Sequence, residues 1–310
     1  MAGARALDWR AWTRSPPLLL VLASLLFASM GVCVKLASSD YGTGEIVFYR
    51  GLLGVVLMAG AARLHGGSLK TRVAGMHFWR SIAGVAGMCF WFYALAHLPL
   101  ATAVTLNYMS SVWIAVFMLG GAALLGSARV DPRLVVAVLL GFAGVALVLR
   151  PTIEQQQLWH GLVGLMSGVV AAAAYLQVGA LGRAGEPEYR TVFYFSLGGA
   201  LVGLVLLAAS GGFHPLDLRG FALLIGNGVL ATAGQLLMTR AYSTGRALVN
   251  ASLQYLAIAF SFGYGVWLFD DPVTATAIAG MLLIVAAGVF ASLLRVRRAV
   301  VPASDPVNTA

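Results

Sequence analysis

Nine side chains in this sequence carry polarity or an aromatic ring with a polar edge at positions where lipid would not tolerate them without a purpose: Arg50, Trp91, Tyr93, Asn107, Tyr108, Tyr175, Gln235, Gln254 and Tyr255. Each stands inside a run of apolar residues, and a charged or amide group facing hydrocarbon is costly, so such groups point into a helix bundle or a wet cavity. Their chemistry is recognition. Amides and phenols orient a ligand by hydrogen bonds, Trp91 supplies an aromatic wall, and Arg50 is the best candidate for holding an anionic group. The alternative for any one amide is a hydrogen bond that glues two helices. Lys35, Arg50 and Arg80 either reach for the membrane interface or meet an anion. Asn227, flanked by Gly226 and Gly228, reads as a packing contact.

Reaction chemistry is conspicuously thin. No Asp or Glu falls in the middle of an apolar run, so a proton relay through a membrane carboxylate is not expected. His65, His77, His97, His160 and His214 fall in loops or at run ends with no metal-ligand spacing, and Asp270-Asp271-Pro272 lacks the further carboxylates of a magnesium site. No glycine-rich phosphate loop is present, which excludes an ATP-driven pump within this chain. No catalytic residue, metal or redox cofactor is expected.

The elements that position these residues follow from composition. Of 310 residues, 60% are apolar and 10% charged, with a mean hydropathy of +0.88, against about 45–50% and 25% in soluble domains. A soluble enzyme or nucleic-acid-binding domain is thereby excluded. The pI near 10.0 comes from cations dispersed between apolar runs, which mark membrane sidedness and predict no nucleic-acid partner. Cys33 and Cys89 lie inside runs as small core residues.

A bilayer core needs about 20 apolar residues per helix, and ten runs qualify, at 17–37, 45–63, 76–96, 100–121, 133–149, 160–182, 190–209, 218–240, 247–269 and 273–294. With the N-terminus inside, fifteen cations fall on the cytoplasmic side, among them Arg5, Arg10, Arg14, Lys70, Arg72, Arg129, Arg183, Arg190, Arg297 and Arg298. Only Arg150 and Arg219 fall outside. Both termini are expected in the cytoplasm of a cell with a bacterial-type inner membrane.

Leu106-Asn107-Tyr108 recurs as Leu253-Gln254-Tyr255, and the same offset lays Gly87 through Ala94 on Gly234 through Ala241. Ten spans then divide into five and five, and an odd number per half makes the second copy cross in the opposite sense. That inverted repeat is a recurrent plan of secondary transporters with a midplane site between the halves. The expected fold is an all-α polytopic membrane protein with ten transmembrane helices. Its segments are a cytoplasmic stretch 1–16, a repeat at 17–150, an outer linker 151–159, a repeat at 160–294 and a cytoplasmic tail 295–310.

Lys35 late in span one, Phe48-Tyr49-Arg50 early in span two and the run from Trp91 to Ser111 resemble the drug/metabolite transporter superfamily, in particular proteins with two tandem EamA domains. The resemblance covers about 18–294, and its span-three corner is most similar to carriers that take up S-adenosylmethionine and riboflavin. It departs at Ser110-Ser111, where many relatives have Ser-Pro, which puts a proline-driven helix break in doubt. It implies a secondary transporter of a small organic metabolite (an amino acid, nucleoside or vitamin-like compound) by alternating access, with membrane lipid around it and a homodimer as an allowed assembly. The rival from another class is an intramembrane enzyme acting on a lipid-linked substrate.

Overall fold

The computed structural model describes residues 15–64, 66–98, 100–114, 116–117, 132–149, 158–269 and 273–299. Arg5, Arg10, Arg14, His65, Arg129, Asp131, Arg150, Glu154, Asp270, Asp271 and most of the expected linker lie outside these residues. Among the described residues every regular element is a helix: α1 (Pro16–Ala37), α2 (Thr43–Leu64), α3 (Ala74–His97), α4 (Leu100–Tyr108), α5 (Pro132–Leu149), α6 (Leu158–Arg183), α7 (Glu188–Ala209), α8 (Leu218–Thr244), α9 (Ala247–Gln254), α10 (Leu256–Phe269) and α11 (Ala275–Ala299). Residues 110–114 continue helically beyond a turn at Met109, and α9 and α10 are one span interrupted at Tyr255. The chain is therefore a polytopic helical membrane protein whose elements follow the ten expected runs. Six stretches, including α1, α2, α6, α7, α8 and Val249–Phe269, have the length and hydropathy to cross a bilayer by themselves.

Local chemistry explains the ends. Pro16 and Pro17 open α1, where a missing N–H costs nothing. The Asp217 carboxylate caps α8 by accepting from the Gly220 N–H at 2.7 Å. Gly211 and Gly212 close α7 with φ of 100° and 102°, backbone that a side chain would resist. The Lys35 ammonium donates to the carbonyls of Leu95 at 2.9 Å and Leu98 at 3.2 Å, capping α3 at its negative dipole end.

The packing has a pattern. The most extensive helix pairs are α2 with α7, α1 with α8, α3 with α6, and α5 with α11. Exchange each helix for its counterpart in the other half, and the same set returns. Span four likewise lies on α6 as span nine lies on α1. Lipid provides no hydrophobic drive for association, so close approach rests on small residues. A Cβ on Gly51 would meet the backbone of Ala200 on α7, and one on Gly203 would come within 2.7 Å of the Phe48 Cα on α2. Apolar side chains on the outside, such as Leu201, Val205 and Leu282, face the lipid, while exposed Trp79, Trp159 and Trp267 stand near span ends, where indoles prefer to lie.

Each end of the bundle is tied across the halves. At one end the segment after α2 meets the turn before α7. Thr71 donates to Glu186 at 3.0 Å, the His77 Nε2 N–H faces the same carboxylate at 3.0 Å, and Arg190 bonds both Glu186 and the Ser68 carbonyl. At the other end the turn before α2 meets the segment after α7. There Glu45 accepts from His214 at 2.8 Å, and the Tyr41 hydroxyl lies 3.3 Å from Asp217. A Glu–His contact thus stands at each end, although the residues that make it occupy different positions in the two halves.

Burial pushes the Glu186 carboxyl up, but hydrogen bonds from His77, Arg190 and Thr71 outweigh it and hold the group below the usual carboxylate range. A depressed folded pKa stabilises the fold above the unfolded value of about 4.3 and loses that contribution as pH falls through the folded one. Melting temperature in detergent should therefore fall on acidification below about pH 4. Glu186→Gln should melt lower than the parent at neutral pH and show a flatter acid limb; equal acid limbs would remove Glu186 from this role.

Candidate functional site

Where α1, α2, α3, span four, α6, α7 and α8 converge, a cavity of about 60 Å³ remains. Six of the nine residues expected from sequence line it: Arg50, Trp91, Asn107, Tyr108, Tyr175 and Gln235. Arg80, Phe195, Phe27 and Met30 also line it. The site belongs to both halves, since Arg50, Trp91 and Asn107 come from the first while Tyr175, Phe195 and Gln235 come from the second.

Both helix interruptions serve this level. Asn107 and Tyr108 immediately precede the turn at Met109, and Gln254 immediately precedes the one at Tyr255. Interrupted helices in matching positions of two repeats leave backbone and side-chain polar groups at mid-depth, which is tolerated only against protein or a water-lined space. The first interruption occurs without proline. Gly168 of α6 instead brings its Cα side against the break, where an added Cβ would lie 2.6 Å from the Leu106 carbonyl oxygen and 3.2 Å from the Ser110 nitrogen. Asn107 is held there by donating to the Ser167 hydroxyl at 3.0 Å, and Ser167 donates onward to the Gly164 carbonyl.

The remaining three residues lie elsewhere. Tyr93 opens on a lateral groove with Cys89, Phe90 and Trp159, and its hydroxyl lies 2.9 Å from His160 Nδ1. His160 in turn stacks on His97 with ring centroids 4.6 Å apart, a pairing that sequence spacing did not indicate. Gln254 approaches the Tyr175 hydroxyl from behind the cavity wall. Tyr255 is fully buried and packs over Gly141 of α5. Asn227, read as a packing contact, is fully buried with neither side-chain polar atom hydrogen-bonded among the described residues. Among those residues no three metal-ligating side chains come together.

Electrostatically the cavity is one-sided. Arg50 is 5% exposed and Arg80 2%, and both guanidinium carbons rest on the Phe195 ring, at 5.1 and 4.3 Å from its centroid. Neither makes an ion pair among the described residues, where the ion pairs are those of Glu45 and Glu186 near the two ends. Arg80 was expected near a span end. Its side chain runs forward along α3 over Gly84, where any Cβ would collide with the guanidinium.

Comparison with known proteins agrees with this architecture. Residues 14–150 match the model of the EamA-like transporter family. The chain is 35% identical over 275 residues to the pseudopaline exporter CntI of Pseudomonas aeruginosa, covering 88% of this chain and 94% of that protein. It is 27% identical to a riboflavin transporter of Rhizobium johnstonii, over 92% of this chain and 93% of the other. A protein of known crystal structure superposes with a TM-score of 0.76 over 91% of this chain and 98% of its own, at 17% identity, which speaks to the fold alone.

Proposed function

The chain belongs to the EamA-like transporter family, and from that premise we propose that it is a secondary carrier moving a small organic metabolite across a bacterial-type inner membrane by alternating access. The names of its relatives point to transport and away from an enzyme. The observation that carries the reading is the polar cavity at the junction of two exchange-related halves, level with two interrupted helices.

A cavity of about 60 Å³ holds several waters, whereas a metabolite-sized ligand needs roughly 300–1,000 Å³. Binding therefore requires the halves to part. The cross-half contacts at each end are the bonds that would break in turn, one set opening while the other holds. In this reading the halves are 17–150 and 160–294, both termini are cytoplasmic, the end bearing Glu186 and Arg190 faces the cytoplasm, and the end bearing Glu45 and His214 faces out. Asn107, Tyr108, Tyr175 and Gln235 orient the substrate against Trp91, with Gln254 holding Tyr175 from behind and Arg50 toward the substrate's anionic part.

Purified protein in liposomes, offered amino acids, nucleosides, riboflavin and S-adenosylmethionine, should show saturable flux of at least one compound. Asn107→Ala and Gln254→Ala should each lower that flux by about 10-fold, the cost of one hydrogen bond to a desolvated partner. Turnover of a lipid-linked substrate without any flux would overturn the carrier in favour of an enzyme.

A further inference from the structure

Burying a guanidinium without a partner is among the costliest things a fold can do, and this one does so twice on a single ring. Arg50 comes from α2 and Arg80 from α3, and both line the central cavity. Arg50 Nε, Arg80 Nε and Nη1, and the Trp91 indole N–H are buried with no hydrogen-bond acceptor among the described residues. The π face of Phe195 attracts both cations, yet such contacts return only part of the desolvation cost of two ions. The two positive charges also repel each other. Packing does not demand this arrangement: leucines or methionines of similar volume would fill the same space without an uncompensated charge. Among the described residues the wall offers an excess of donors and no carboxylate, so what is missing is an acceptor-rich, negatively charged partner.

We infer that the Arg50–Arg80 pair is a two-point receptor for a compact organic dianion, a dicarboxylate whose ends are received by the two guanidiniums on either side of one bound molecule. This rests on the carrier reading for its role in transport but not for the binding itself. Arginine's planar fork matches carboxylate geometry in a bidentate manner, which favours this class over a neutral ligand held by amides alone. The two guanidiniums come from different helices, which suits two separate carboxylates better than one phosphate group. The bound dianion also cancels the repulsion between α2 and α3 across the cavity. Loading would then draw these helices together, and the empty site would favour their separation.

The test compares succinate with monomethyl succinate and dimethyl succinate, at matched ionic strength, as stabilisers of the purified full-length protein in detergent. Melting temperature should rise most with succinate, less with the monoester and not at all with the diester. Arg50→Gln and Arg80→Gln should each weaken succinate binding by about 30-fold or more, the usual consequence of removing one partner from a desolvated charge pair. Arg50→Lys and Arg80→Lys, which keep the charge but lose the fork, should lie between, and the ester series on the unmodified protein stands even if a glutamine variant fails to fold. Equal stabilisation by succinate and its diester, or none by succinate, overturns the inference. Dianion binding with no flux in liposomes would remove the carrier and leave the receptor. Saturable flux of a neutral metabolite that succinate does not affect would remove the receptor and leave the carrier.

Discussion

Joining Thr71 to Glu186 through a pair of introduced cysteines and a short bifunctional thiol reagent is expected to reduce transport to background, and reductive cleavage of a disulfide-containing linker to restore it. The two side chains already touch at 3.0 Å across the halves, so the link adds no strain to the present arrangement and removes only the ability to leave it. An alternating-access carrier needs each end to open once per cycle, so a covalent tie at one end stops the cycle whatever the substrate. The same treatment at the other end, joining Tyr41 to Pro215, whose hydroxyl and carbonyl lie 3.4 Å apart, should have the same effect. Native Cys33 and Cys89 must be replaced first, by alanine, to keep the reagent on target. Undiminished flux in a protein fully cross-linked at either end would show that the ends do not part during transport.

The second large effect concerns the fold itself. Gly51→Leu should fail to give a monodisperse protein, or should melt far below the parent, with a loss of about 3 kcal/mol or more. A Cβ there would lie 2.7 Å from the Ser196 carbonyl oxygen and 2.8 Å from the Ala200 Cα. These are backbone atoms of α7, which cannot rotate away as a side chain can. The α2–α7 pair would have to separate along its whole contact, because Gly44, Gly54 and Gly203 mark the same close approach. Gly60→Leu on the same helix is the control, since nothing lies within 4 Å of its Cβ position, and it should melt within a few degrees of the parent. Equal behaviour of the two variants would refute the close α2–α7 contact.

The ten-run architecture was legible because hydrocarbon imposes it: a span must be about 20 residues long and apolar, and little else satisfies the backbone. Six cavity residues were legible for the complementary reason, since an amide, phenol or guanidinium inside such a span has few places to go. Depth was harder to read. Arg80 stands about two turns into α3 from its start at Ala74, and counting along the helix leaves it near the end. Its long stem carries the charge onward to Phe195 through the space that Gly84 leaves one turn away. The spacing Arg80-Gly84 was the available signal. Lys35 could not be assigned from sequence because the carbonyls it caps belong to a helix two spans away. Tyr255 shows the limit of the repeat: α4 ends at Tyr108 and α9 ends at Gln254. The interruptions are thus displaced by one residue relative to the sequence match, and one residue is about 100° around a helix. The aligned tyrosines consequently face different neighbours, the cavity for Tyr108 and Gly141 for Tyr255.

The paired Glu–His contacts have an evolutionary corollary. Since ties of similar chemistry fasten opposite mouths, the resting preference of the molecule is the difference between two similar sums, and a small difference between them is enough to invert it. A substitution at Thr71 or His214, well away from Arg50 and Arg80, can tilt that balance while the chemistry of selection stays as it was. Lineages that share one pocket are thereby free to drift between loading from the cell and loading from its surroundings.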